Sequence, residues 1–87
     1  MACIYILLSK ASNKFYTGSS HDTAELRLKE HNAGRVRSTK SGRPWIVIHE
    51  ERLINYTDAR KRELFLKSGF GRRWVNEKFA HLKSGTS

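Results

Sequence analysis

Residues 3–9 read CIYILLS, a nearly unbroken apolar stretch built from β-favouring side chains. A strand with one wet face alternates apolar and polar residues, so a run without alternation predicts a central strand covered on both faces. The segments around it fit that role. KASN (10–13) is turn chemistry, and KFYTG (14–18) returns as a second strand to make a hairpin. Asp22 and Glu25 have the spacing of a capping pair, the helix they open runs to about Ala33, and Gly34 is placed as its left-handed terminator. WIVIHEERL (45–53) reads as a third strand. Asn55, Thr57 and Asp58 are turn and cap residues before a second helix, from about Asp58 to Ser68, which Gly69 stops. A third helix, from about Arg72 to Leu82, puts Val75, Phe79 and Leu82 on one stripe. The order ββαβαα predicts an α+β fold, a three-stranded antiparallel sheet flanked by helices. With 87 residues the chain is expected to form one domain over 1–87, because smaller pieces would bury too little core.

Charge narrows the partner class. Seventeen Lys and Arg against eight acids give +9, and the cations are not confined to a tail. GRVRSTKSGRP (34–44) carries Arg35, Arg37, Lys40 and Arg43 with no acid, and RKR (60–62) and GRR (71–73) add more. Such clusters can fold into one patch, and a phosphate backbone rewards that patch by releasing counterions. Solubility alone would also use a high net charge, but at this balance nucleic acid is the better reading. The only cysteine is Cys3, so no intramolecular disulfide forms and Cys/His metal spacing is absent. There is no apolar leader and no run of membrane-spanning length, which points to a reducing cytoplasm and no membrane partner. KSGTS (83–87) is the one window with the composition of a disordered tail.

Glu63 is the residue that fits its helix worst. On a 100° wheel Ala59, Leu66 and Phe70 cluster, and Glu63 falls beside them at the apolar face. A carboxylate there is costly unless it is paired or bound to a cation. Two explanations follow: a partly buried ion pair with an arginine such as Arg27, or a divalent metal ligand facing a cleft. Spacing alone favours the ion pair.

Taken in order, CIY at 3–5, YTG at 16–18, a helix with Arg27 and His31 in AELRLKEHNAG, and Glu63 on the next helix resemble the GIY-YIG nuclease superfamily. The chain is similar in particular to small single-domain bacterial members and to the N-terminal nuclease domain of the excinuclease subunit UvrC. Cys3 stands where the first motif has glycine, and Thr17 where the second has isoleucine. The resemblance implies a metal-dependent endonuclease that hydrolyses DNA phosphodiesters with Mg2+ or Mn2+. It implies Tyr5 and Tyr16 at the site, Arg27 on the phosphate and Glu63 on the metal. Asn76, in WVN, matches a polar residue that some members place near the site.

Those roles suit the residue types. A cation on Glu63 could polarise the phosphate, and Arg27 could add a planar fork of donors to the same oxygens. A tyrosine of pKa about 10 needs help to act as a base at neutral pH. Tyr5 is the expected base, and His31, one turn from Arg27, is its competitor with the more suitable intrinsic pKa. The residues Arg35, Arg37, Lys40, Arg43 and Asn76 are the expected nucleic-acid contacts, with DNA the partner and no obligate protein partner evident. Each residue taken singly has a plainer reading: strand packing for the tyrosines, a solvated helix face for Arg27 and His31, turn or cap duty for Ser19 and Ser20. A non-catalytic nucleic-acid-binding module, or an accessory scaffold in a DNA repair complex, is the alternative to the enzyme. If the enzyme reading holds, Tyr5, Tyr16, Arg27 and Glu63 should face a common cleft, whereas Tyr5 and Glu63 on opposite sides of the sheet would remove that reading.

Overall fold

The computed structural model describes residues 1–83; most of the expected disordered tail lies outside them. Its elements are β1 (Ala2–Ser9), β2 (Phe15–Ser20), α1 (Ala24–Asn32), β3 (Trp45–Leu53), α2 (Tyr56–Lys67) and α3 (Gly69–Phe79). All pairing is antiparallel, and the sheet order β2-β1-β3 puts the apolar strand in the middle. All eight residues of β1 are buried, as the absence of alternation predicts. Asn13, at φ 59°, makes the hairpin turn, a left-handed position that asparagine tolerates.

Alternation along β1 feeds two separate cores. Ala2, Ile4 and Ile6 face α2 and α3, where they meet Ala59, Leu66, Val75 and Phe79. Cys3, Tyr5 and Leu7 face α1 and pack with Ala24 and Trp45. Each fully buried Ile or Leu of this kind stabilises by roughly 1.5–3 kcal/mol. The register against β3 shifts between Ile6 and Leu7, which pair with His49 and Val47, so Ile48 has no partner opposite. The result is three layers: α1, the sheet, and the α2–α3 pair.

Several local expectations need correction. The α1 cap is Thr23, whose hydroxyl accepts from the Leu26 amide at 3.2 Å, and not the Asp22–Glu25 pair. Thr23 wins because its extended backbone sits directly before the first helical turn. Gly34 does end this helix with φ 79°. The stretch after it is not plain loop, since residues Arg37–Gly42 form a 3-10 helix. Ser68 closes α2 and caps α3, so the third helix starts earlier and ends earlier than expected. Phe70 therefore lies on the new helix at 78% exposure, and Leu82 leaves the stripe for a terminal 3-10 turn at 39%. Val75 and Phe79 are buried as expected.

Candidate active site

Tyr5 rises from the middle of the sheet toward α1, and its ring lies over its register partner Gly18 on β2. A Cβ at Gly18 would stand 2.5 Å from the Tyr5 hydroxyl, so only glycine leaves the ring this path. The path ends at α1. Tyr5 Oη is 3.0 Å from His31 Nε2 and 3.4 Å from Arg27 Nε. Arg27 and His31 are one turn apart on the helix, which is why both reach one hydroxyl. Arg27 is steadied by an ion pair to Glu30 at 3.0 Å. Tyr16 closes the group from the side, its ring edge-on to His31 with centroids 5.1 Å apart.

One placement of the protons satisfies every partner of the buried imidazole. His31 Nδ1 is 2.7 Å from Thr39 Oγ1, and that hydroxyl donates onward to the Val36 carbonyl at 3.3 Å. Its proton being spent there, Thr39 accepts from His31 Nδ1–H. His31 Nε2 is then the bare nitrogen that accepts from the Tyr5 hydroxyl, while Arg27 donates to the same phenol oxygen. Both Thr39 and His31 are fully buried. Thr39 escaped the sequence reading because its cationic neighbours dominate that segment. Thr39→Val keeps the shape and removes the acceptor. We expect a stability loss of about 1–3 kcal/mol for the orphaned imidazole N–H, read by urea unfolding. The imidazole 15N shifts should show that the tautomer is no longer fixed.

Burial pushes the Tyr5 phenol above its ordinary pKa, against the pull of Arg27. Burial and the Arg27 charge push His31 below its own, with Glu30 opposing weakly. The sign of the consequence is definite. The unfolded chain protonates this imidazole first, so stability is full above about pH 6.5 and drains as pH falls toward the lower folded value. Thermal melts should therefore already lose ground between pH 7 and pH 5.5, above the range in which carboxylates titrate. A flat profile there would mean that His31 is not held neutral.

Glu63 belongs to the other layer. It is buried on α2, and its carboxylate is held by Lys67 Nζ at 2.7 Å, Arg60 Nη1 at 2.8 Å and the Ser19 hydroxyl. Burial opposes its charge, but the bonds from Lys67, Ser19 and Arg60 outweigh that and hold its pKa below the usual carboxylate range. The expected ion pair exists with different partners. Arg27 is not among them, because α1 and α2 pack on opposite faces of the sheet. Ser19, expected to serve a turn, instead holds the acid, whereas Ser20 does make a turn by accepting from the Asp22 amide at 2.9 Å.

The single cleft expected for Tyr5, Tyr16, Arg27 and Glu63 is not formed. Tyr5 and Glu63 lie on opposite faces of the sheet, the arrangement set against the enzyme reading, and the two groups meet only as a rim along β2. Tyr5 and Gly18 share one face of the sheet, and Ser19, next along β2, turns to the other and meets Glu63. β2 is an edge strand whose residues are buried or half-buried, and the two half-sites lie on either side of it. Lys67 joins them: its ammonium bonds Glu63 and also sits 5.7 Å from the Tyr16 ring centroid. Asn76 is exposed on α3 beside Lys67 and Arg72, on the Glu63 side. Arg35, Arg37, Lys40 and Arg43 are all exposed on the segment that holds Thr39, on the His31 side. That segment is anchored by Ser9 Oγ donating to the Gly42 carbonyl at 2.5 Å and Trp45 Nε1 donating to the Thr39 carbonyl at 2.8 Å.

Among the described residues no three His, Cys, Asp or Glu gather to hold a metal, and no helix is long and apolar enough to cross a membrane. The family model of the GIY-YIG catalytic domain matches residues 1–78, a span that contains every rim residue named above. A UPF0213 protein of Staphylococcus haemolyticus (strain JCSC1435) is 33% identical over 70 residues, covering 78% of this chain and 84% of that protein. No solved structure matches the chain.

Proposed function

The chain belongs to the GIY-YIG catalytic-domain family, and on that premise we propose that it is a divalent-metal-dependent endonuclease hydrolysing DNA phosphodiester bonds. The family match over residues 1–78 carries the reading against the opposite-face arrangement. The Tyr5–His31–Arg27 cluster and the Glu63 carboxylate lie on either side of one edge strand, with Lys67 touching both Glu63 and Tyr16. A scissile phosphate laid across β2 at this point meets a base on one side and a buried acid on the other.

The donors around Glu63 fit a hard cation. One carboxylate and the Ser19 hydroxyl leave most coordination positions to water and phosphate oxygen, the arrangement Mg2+ prefers. Bound there, Mg2+ or Mn2+ would supply Lewis-acid polarisation of the phosphoryl group and charge relief at the departing oxygen. To admit it, Lys67 and Arg60 must turn aside. Both can, since their side chains are 41% and 50% exposed. Swung outward, they add positive charge where the phosphate arrives.

Tyr5 and His31 act together as the base. With water admitted to the buried phenol, Tyr5 Oη takes a proton from it as its own passes to His31 Nε2 in one concerted transfer. The transfer is concerted because a raised phenol would not yield its proton beforehand to a lowered imidazole. Arg27 supports the phenol oxygen and, 27% exposed, offers its remaining donors to the phosphate. A screen for metal-dependent cleavage of supercoiled, branched and single-stranded DNA, with Glu63→Gln as control, tests the reading. Tight DNA binding with no cleavage under any metal would leave the non-catalytic module or scaffold in its place.

The exposed basic segment supplies affinity. Replacing Arg35, Arg37 and Lys40 together is expected to weaken duplex binding similarly across sequences. It should also flatten the salt slope by about 0.9 per lost phosphate contact. An unchanged slope would reduce the segment to a solubilising surface.

A further inference from the structure

A second basic surface lies on the opposite side of β2 from the segment just described. Between β2 and the α2–α3 pair runs a groove of about 540 Å3. Its lining includes Lys14, Lys67, Arg72 and Lys83 and no acid, over a floor of Phe15, Leu66 and Val75. Lys14, Arg72 and Lys83 make no ion pair among the described residues. Cations gathered without a counter-charge repel one another, a cost that a polyanionic ligand removes. The groove begins at Tyr16 and Lys67, the two residues that mark the rim between the half-sites.

We propose that this groove takes an unpaired stretch of nucleic acid leaving the scissile position. The volume lies in the range of pockets that bury one drug-sized molecule, about 300–1,000 Å3, which suits a nucleotide or two. The apolar floor distinguishes single strand from duplex. A duplex shows its surroundings only sugars, phosphates and groove edges, whereas an unpaired nucleotide brings a base face to lie on carbon while cations track its phosphates. Phe15 is half-buried in that floor with the Lys83 ammonium 4.7 Å from its ring centroid, an aromatic and a cation set together. The two basic surfaces then divide the substrate: duplex against Arg35, Arg37 and Lys40, single strand in the groove.

The inference rests on the nuclease reading only for the place of the scissile phosphate, so its test measures binding alone. Anisotropy of a dye-labelled oligo-dT and of a blunt duplex is followed in chelator, where no cleavage occurs. Lys14→Glu, Arg72→Glu and the double variant are compared with the wild type. Both positions are exposed, so the fold should persist, with melting curves as the check. Expected for the double variant is at least a tenfold loss of oligo-dT affinity at low salt. Its salt slope should flatten by about 0.7 per lost contact, and the duplex should lose much less. A strand of abasic sugars should bind the wild type more weakly than oligo-dT, because nothing then covers the floor. Unchanged oligo-dT affinity in the double variant, or equal losses for strand and duplex, would overturn the proposal. Inactivity of the wild type in a cleavage assay would count against the nuclease reading and leave this binding result standing.

Discussion

Tyr5→Phe is expected to slow cleavage by about 100- to 10,000-fold, the range of a lost general base, with DNA binding unchanged. The substitution removes one hydroxyl from a fully buried ring and leaves that ring over Gly18. What it breaks is the 3.0 Å bond to His31 Nε2. From sequence, His31→Ala should cost less than Tyr5→Phe, as an orienting residue would. The 3.0 Å Tyr5–His31 bond motivates a different expectation. Tyrosine and histidine share one proton path, so each single substitution should cost a similar factor and the double variant little more than either. The pH profile follows from the same bond. A free tyrosinate would let the rate climb beyond pH 8, but a phenol relieved by His31 gives a rate that levels off once the imidazole is neutral. Since His31 is held below its ordinary pKa, levelling should begin under about pH 6.5. Single-turnover rates at saturating metal decide it. Wild-type speed in Tyr5→Phe would exclude the relay.

Glu63→Gln is expected to bring cleavage down to the metal-free background. Glutamine fills the same volume and can still accept from Ser19, so the packing around Ala59 and Leu66 should hold. Its neutral amide keeps one carbonyl oxygen but no charge, so it holds Mg2+ or Mn2+ far more weakly than the carboxylate. Mn2+ titrated against the protein with a phosphorylated DNA end, followed by electron paramagnetic resonance, should show a bound signal that the variant lacks. DNA affinity without metal should stay level or rise, because one negative charge is gone from beside Lys67 and Arg60. Retained metal-dependent cleavage would remove Glu63 from the chemistry.

What could be read in advance was what repeats locally. β1 declared itself by its lack of alternation, and Gly34 by ending a helix where its φ of 79° suits glycine best. Glu63 was visible as a misfit on its helix, and it is buried. What could not be read depends on which face of the sheet each element covers. Arg27 was a reasonable partner for Glu63 by distance along the chain, but the sheet stands between their helices. The same alternation turned an expected cleft into a rim. Helix limits slipped for a different reason, since Ser68 serves two helices at once and shifted the register of Phe70 and Leu82. Thr39 was invisible because its role comes from a hydroxyl buried inside a segment that otherwise looks like solvent-facing charge.

The division of the site between two layers has a consequence for engineering. The link between β3 and α2 is short and exposed, with Ile54 at 84%. A backbone cut there would leave Tyr5, Tyr16, Arg27, His31 and Thr39 on one fragment, and Arg60, Glu63 and Lys67 on the other. Neither piece would own both the proton acceptor and the acid. The surface that reunites them is already defined: Ile4 and Ile6 on one piece, Ala59, Leu66, Val75 and Phe79 on the other. On the proposed nuclease reading, the fragments fused to two proteins that meet only on command would cleave DNA only when that encounter occurs.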